Sequence, residues 1–145
     1  MNNSYYKIPL QLGVVTEGGE LPGCSLKQSV EKNLELIIFT RFGEHRSDPA
    51  FGCEIWDVDF ELIVSTSRWE ETLRLSLLKS IAAYEPRLSE VSAFIEISDI
   101  EKFNMFKNYT EMKKRVDIKV HGTIHKTGEP FLFHTNMYLS PLAVE

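Results

Sequence analysis

Thr40 to Cys53 reads TRFGEHRSDPAFGC and holds the densest mixture of special residues in the chain. Gly43 and Gly52 permit positive φ, and Pro49 fixes its own φ while holding Asp48 extended. Arg41, Glu44, His45, Arg46 and Asp48 supply charge, and Phe42 and Phe51 supply apolar anchors. A solvated linker has no use for two phenylalanines. The stretch reads as an ordered loop, pinned at both ends, that presents charged groups from a fixed position.

Upstream, Ser25 with Gln28 three residues on is a capping-box pattern, so a helix is expected to begin at Ser25. Leu26, Val30, Leu34, Ile37, Ile38 and Arg41 follow helical spacing, all but Arg41 apolar, and Gly43 is expected to cap the end. Before that helix, Ile8, Leu10 and Leu12 alternate with Pro9 and Gln11, the pattern of a short edge strand or extended arm. Glu17-Gly18-Gly19-Glu20 reads as a turn. Downstream, Ile55, Trp56, Val58 and Phe60 read as a short buried connection. Ser67 with Glu70 repeats the capping-box pattern. Trp69, Leu73, Leu77, Ile81 and Tyr84 then recur with helical spacing until Glu85, where Pro86 disfavours further helix.

Three strand-like runs finish the chain. Val91, Ala93, Ile95 and Ile97 form the first apolar face; Val116, Ile118, Val120 and Ile124 form the second; Phe131, Phe133, Met137 and Leu139 form the third. Glu101 to Lys113 reads as a polar loop bearing Phe103, Phe106 and Tyr109, and Thr127-Gly128-Glu129-Pro130 as the turn of a hairpin. Helices first and antiparallel strands later predict an α+β fold, two main helices packed on a three- to four-stranded antiparallel sheet. The third run, Phe131 to Leu139, is a candidate sheet edge, open to pairing by a partner strand or covered by the chain's own termini.

The run NLELIIFTRFGEHRSDPAFGCEIWD, Asn33 to Asp57, together with Tyr84-Glu85-Pro86-Arg87, resembles the gpW/gene 25-like family. That family includes the phage-tail baseplate wedge protein and TssE of type VI secretion. The two motifs stand in the family's order, an apolar helix with Thr-Arg, a Gly-Glu turn and Pro-x-Phe-Gly before Glu-Pro-Arg. His45 departs from it by separating Gly43-Glu44 from Arg46, which leaves Arg41 and Arg46 both as the family's local arginine. One domain over residues 1–145 is expected, with residues 1–24 as an N-terminal arm and 25–140, the stretch that the resemblance covers, as the core. The resemblance implies a non-enzymatic subunit in the baseplate wedge of a contractile injection machine, and the lack of a signal-like start or a spanning apolar run makes the cytoplasm its expected place. TssF- and TssG-like wedge proteins and the contractile sheath protein are then the expected partners. Glu85, Pro86 and Arg87 are the expected partner-binding residues. Arg41, Gly43, Glu44, Arg46, Pro49, Phe51 and Gly52 form the expected structural loop or second contact.

Composition bounds the other classes. The chain has 145 residues, 43% hydrophobic, enough for one core. Its 16 basic and 21 acidic residues give a formal charge of −5 with no long basic stripe, so nucleic acid is not an expected partner. The longest strongly apolar patch, Leu34 to Phe39, is far too short to span a bilayer. The first residues lack the basic and apolar regions of a secretory signal. Cys24 and Cys53, outside any CxxC, could form one disulfide but read more simply as two thiols, Cys53 buried or half-buried.

The rival class is a peptidoglycan-cleaving, lysozyme-like hydrolase using Glu44 or Glu85, with Asp48 as a further carboxylate. It requires one carboxyl with a raised pKa. Arg46 and Arg87 lie within two residues of these carboxylates and, if close in space, push in the opposite direction. By alternation His121, His125 and His134 share the polar sheet face, with His121 expected opposite His134. His121 and His125 are two pleats apart, about 13 Å, too far to share a metal. No metal, cofactor or catalytic residue is therefore expected.

Overall fold

The computed structural model describes residues 5–53, 66–106 and 108–139. Along the chain run β1 (Tyr5–Tyr6), α1 (Leu12–Thr16), β2 (Gly23–Cys24), α2 (Leu26–Phe39), α3 (Thr66–Tyr84), β3 (Leu88–Asn104), β4 (Tyr109–Ile124) and β5 (Pro130–Leu139). β3, β4 and β5 form an antiparallel sheet in sequence order, and β1 pairs antiparallel with β2. The architecture is the expected α+β arrangement, with the expected connection at Ile55 to Phe60 lying outside the described residues.

The capping box forms as written in the sequence. The Gln28 amide donates to the Ser25 hydroxyl at 3.2 Å, and the Ser25 amide donates to the Gln28 side chain at 3.1 Å. Two of the four amide donors orphaned near a helix start are thereby satisfied. Val30, Leu34, Ile37 and Ile38 are fully buried on α2, and Trp69, Leu73, Leu77 and Ile81 make the matching stripe on α3. Against both stripes lies one face of the sheet, with Ala93, Val116, Ile118, Val120, Ile124, Phe131, Met137 and Leu139 buried.

Several boundaries differ from the sequence pattern. α2 stops at Phe39, because Thr40 is already extended and its hydroxyl donates back to the Leu36 carbonyl. Gly43 therefore does not cap the helix and Arg41 does not lie on it. α3 starts at Thr66, so Ser67 sits inside it and is not its cap. Glu70 is used elsewhere: its carboxylate accepts the Ile97 amide at 3.0 Å and ties α3 to β3. The stretch from Ile8 to Leu12 is not a strand, since Pro9 has no amide to give a ladder. Instead the arm folds on itself through β1, α1 and β2, with Lys7 donating to the Pro22 carbonyl at 2.9 Å.

The expected loop from Glu101 to Lys113 is also corrected. β3 and β4 pair continuously out to Asn104 and Tyr109, well past Leu139, whose partner is Lys114. Among the described residues the outer part of this hairpin, beyond the Asp99–Lys114 pair joined at 2.6 Å, is a two-stranded ribbon. Such a ribbon has no core face, so the alternation that marks a half-buried strand is not required of it. The β4–β5 register also differs: Lys119 lies opposite His134 and His121 opposite Leu132. His134 instead approaches Asp117 at 3.6 Å, and His121 meets the Phe94 ring edge-on at 5.3 Å. Among the described residues no group of His, Cys, Asp and Glu is placed to hold a metal, and no helix is long and apolar enough to cross a membrane.

The two sides of α3 give a direct test of this packing. Leu77 is fully buried and Leu75 is 55% exposed. Leu77→Ala is expected to destabilise by about 2–5 kcal/mol and Leu75→Ala by less than about 0.5 kcal/mol in urea melts. Equal losses would place the core on the wrong face.

Candidate functional site

Both sequence motifs meet at the end of α3. The Glu85 amide still donates to the Ile81 carbonyl at 2.8 Å, completing the last helical bond, and Pro86 then turns the chain into β3. This exit carries the Glu85 side chain inward, where it is fully buried. Its carboxylate accepts four hydrogen bonds. Oε1 takes Arg87 Nε at 2.7 Å and the Arg87 amide at 3.2 Å; Oε2 takes Arg87 Nη2 at 2.8 Å and Asn33 Nδ2 at 2.8 Å. An ionised carboxylate offers about four lone-pair positions, so the group is saturated.

The partners spread the junction over three elements. Asn33 Nδ2, from the middle of α2, also donates to the Tyr84 carbonyl at 3.0 Å. Arg87 Nη1 donates to Ser29 Oγ, one turn earlier on α2, at 2.8 Å. The Arg87 carbonyl accepts the His125 amide at 2.9 Å, reaching the β4–β5 turn. The Tyr5 ring lies 5.3 Å from the Arg87 guanidinium carbon, and the Arg87 side chain stays 29% exposed. Ser29 and Asn33 were not singled out by sequence reasoning. Their signal was present as two polar residues four apart, flanking Val30 and Leu34 on the inward side of α2.

Electrostatically the site favours a charged Glu85. Burial opposes its ionisation, but the hydrogen bonds from Arg87 and Asn33 and the Arg87 charge outweigh burial and hold its pKa below the ordinary carboxylate value. Arg87 is shifted up, first by its hydrogen bond to Glu85.

The loop from Arg41 to Cys53 packs beside this junction and is braced by its own backbone. Gly43 donates to the Pro49 carbonyl at 2.8 Å, Glu44 to Arg41 at 3.1 Å, Phe51 to Asp48 at 3.1 Å and Cys53 to Thr40 at 2.9 Å. The Glu44 carboxylate accepts the Arg41 amide at 2.9 Å, an internal turn contact at the surface. Asp48 Oδ1 accepts the Ala50 amide at 3.2 Å and the Tyr84 hydroxyl at 3.0 Å. Phe51 sets its ring against Tyr84 at 5.0 Å in a T-shaped contact. Tyr84, directly before Glu85, is thus the plate to which the loop is fastened. Arg41, Glu44, His45 and Arg46 are exposed on the outer side, while Cys24 and Cys53 are buried and not joined in a disulfide.

Gly52 closes the loop where no side chain fits. Its φ is +133°, and a Cβ there would stand 2.5 Å from the Thr40 carbonyl oxygen. Gly43, at φ +83°, has open space around it. Gly52→Ala is expected to cost about 3 kcal/mol and Gly43→Ala about 1 kcal/mol in chemical denaturation. A Gly52 variant as stable as wild type would show that the loop is not pinned there.

Glu85→Gln is expected to destabilise by about 2–3 kcal/mol at pH 7, because it weakens several charge-assisted bonds while Arg87 keeps some access to water. The pH dependence has a fixed sign. The folded pKa lies below the unfolded one, so the stabilisation is present above the ordinary glutamate value, about 4.3. It is lost as pH falls through the folded value. The gap in melting temperature between wild type and Glu85→Gln should therefore narrow between pH 6 and pH 3; a constant gap contradicts the ionised carboxylate.

No curated protein gives a sequence match to this chain. Among solved structures, a Geobacter sulfurreducens protein with a provisional tail-lysozyme label superposes with a TM-score of 0.60 at 21% identity, over 86% of this chain and 100% of its own. That likeness is one of fold. A chain of the type VI secretion baseplate complex matches at a TM-score of 0.48 and 18% identity, over 79% of this chain and 93% of its own. The family model described as baseplate wedge protein gp25 matches residues 24–129, a span that takes in the Thr40–Cys53 loop, the Glu85–Arg87 junction and the first two strands of the sheet. By that match this chain belongs to the gp25 family of baseplate wedge proteins.

Proposed function

We propose that the chain is a non-enzymatic structural subunit of the baseplate wedge in a contractile injection machine, similar to TssE of type VI secretion. It works in the cytoplasm, docks to TssF- and TssG-like wedge proteins, and gives the contractile sheath its first template. Family membership supports the wedge setting. The observation that carries the docking reading is the Glu85–Arg87 fork. Glu85 is consumed inside the protein, and its two short bonds hold the Arg87 guanidinium at a fixed place and angle, still partly exposed. A planar guanidinium held rigid loses little freedom when a partner carboxylate binds it. The sheath reading draws on β5, which among the described residues has a pairing neighbour on one side only.

The lysozyme-like alternative draws on the provisional name of the Geobacter neighbour. A glycosidase of that kind needs a carboxyl with a raised pKa as its proton donor. Glu85 is shifted the other way and is fully buried, and Glu44 is an exposed turn residue bonded to the Arg41 amide. Neither suits a general acid.

The test is an affinity pull-down from native lysate with components identified by mass spectrometry. Wild type is expected to recover wedge and sheath proteins. Arg87→Ala should lose the wedge proteins by tenfold or more. Arg87→Lys, which keeps the charge and loses the fork, should lose most of them. Thermal melts fix the folded fraction of each. Retention of wedge proteins by a folded Arg87→Ala would remove Arg87 from the docking surface. Purified wild type is expected to show no peptidoglycan turnover; turnover abolished by Glu44→Gln or Glu85→Gln would sink the scaffold reading.

A further inference from the structure

The arm at residues 5–23 lies before the stretch matched by the family model, yet it reaches the centre of the site. Among the described residues its attachments to the body are few, the packing of β1 on α2 included. β1 and β2 pair through two residues each, Lys7 donates one backbone bond to Pro22, and Tyr5 sets its ring over Arg87. α1 contributes no buried residue. Ile8, Leu10, Leu12 and Val15 are each about half exposed or more, at 47%, 52%, 63% and 49%. The first fully anchored position is Cys24, where the arm joins the body. A segment held by so few buried contacts opens at low free energy, independently of the core.

Arg87 is the group this arm covers. A guanidinium has five N–H donors. Three are fixed, by Glu85 twice and by Ser29 once. Tyr5 engages what remains: its hydroxyl accepts a hydrogen bond from the guanidinium, and its ring lies with its centroid 5.3 Å from the guanidinium carbon. An aromatic ring over a guanidinium holds it by charge–quadrupole attraction. The same ring stands in the path of anything approaching from that side.

We propose that residues 5–23 form a latch over Arg87 that swings clear as a unit, so that Tyr5 governs access to the guanidinium. The closed form is the one described. In the open form the ring leaves, Glu85 and Ser29 keep the guanidinium in place, and the vacated face and free donors accept a carboxylate. Resting on the docking reading above, that carboxylate belongs to an acidic side chain of a wedge partner, and the half-exposed apolar residues of the arm are released to cover it.

The latch is tested on the free protein, residues 1–145, with phenylglyoxal, which modifies accessible guanidinium groups, the rate at Arg87 being read from its peptide mass and compared with that at Arg41, which lies on the outer side of the Thr40–Cys53 loop and has no contact with Tyr5 among those described. In Tyr5→Ala the Arg87 rate should rise by about twofold to fivefold, the factor a cation–π contact at a partly exposed site is worth. Arg41 should be unchanged, and Tyr5→Phe, which keeps the ring and loses only the hydroxyl contact, should fall between wild type and Tyr5→Ala. An unchanged Arg87 rate in Tyr5→Ala, or an equal rise at Arg41, overturns the latch. Hydrogen exchange gives the second readout: the Lys7 amide should exchange at least a hundredfold faster than the Glu85 amide. Equal protection would mean that the arm opens only with the whole domain, and would also overturn the proposal. Because neither readout needs a partner, a failed pull-down leaves them standing, and their failure leaves the docking reading intact.

Discussion

A single buried carboxylate fixes the relation of the helices to the sheet. Glu85 is the last residue to be reached by the hydrogen-bond ladder of α3, and its side chain accepts from Asn33 on α2 and from Arg87 at the start of β3. Moving a carboxylate out of water is unfavourable by several kcal/mol unless its lone pairs are filled. Here every position is filled, and the filling groups come from different parts of the chain. The helix end, the middle of α2 and the first strand must all be in place for any one of them to be stable. The charge thus acts as a specification of geometry more than as a source of net stability.

The loop from Thr40 to Cys53 extends the same logic outward. It is fastened to Tyr84 by a phenol–carboxylate bond and an aromatic contact, one residue before the buried charge. Its exposed charges, from Arg41 to Arg46, are therefore referenced to the same frame as Arg87. Two surface features far apart in sequence are held in register through adjacent residues, Tyr84 and Glu85. The Tyr84 hydroxyl, donating to Asp48, has its pKa raised by that bond, and so remains a donor well into alkaline conditions.

Much of the fold could be read from the residues because the relevant forces are local or periodic. The start of α2 is written in Ser25 and Gln28, the buried face of α3 in Trp69, Leu73, Leu77 and Ile81, and the core face of the sheet in Val116, Ile118 and Val120. What escaped was set by longer-range geometry. The end of α2 depends on Thr40 turning extended, a choice that its sequence neighbours do not force. The β4–β5 register came out two residues away from the expected pairing of His121 with His134. A two-residue slip keeps every side chain on the same face, so alternation is blind to it. At the site, the position of the helix end at Pro86 was legible, whereas the burial of Glu85 was not. A charged residue beside a proline reads as a surface stop until Ser29 and Asn33 are brought to it by the packing of α2.

The ribbon formed by the outer halves of β3 and β4 has mechanical meaning. Up to Lys114 the hairpin is stiffened by β5; beyond it, among the described residues, β3 and β4 pair only with each other out to a turn where Met105 is 82% exposed and Phe106 is fully exposed. A two-stranded ribbon twists more freely than a three-stranded sheet. Over the described residues the hairpin therefore behaves as a torsion bar clamped where β5 pairs with it. Its apolar tip can rotate about the strand axis while the clamp, the core and the Glu85 junction stay fixed. Orientation of the tip is thereby uncoupled from orientation of the Arg87 guanidinium, so loads applied at the two ends of this small domain need not work one against the other.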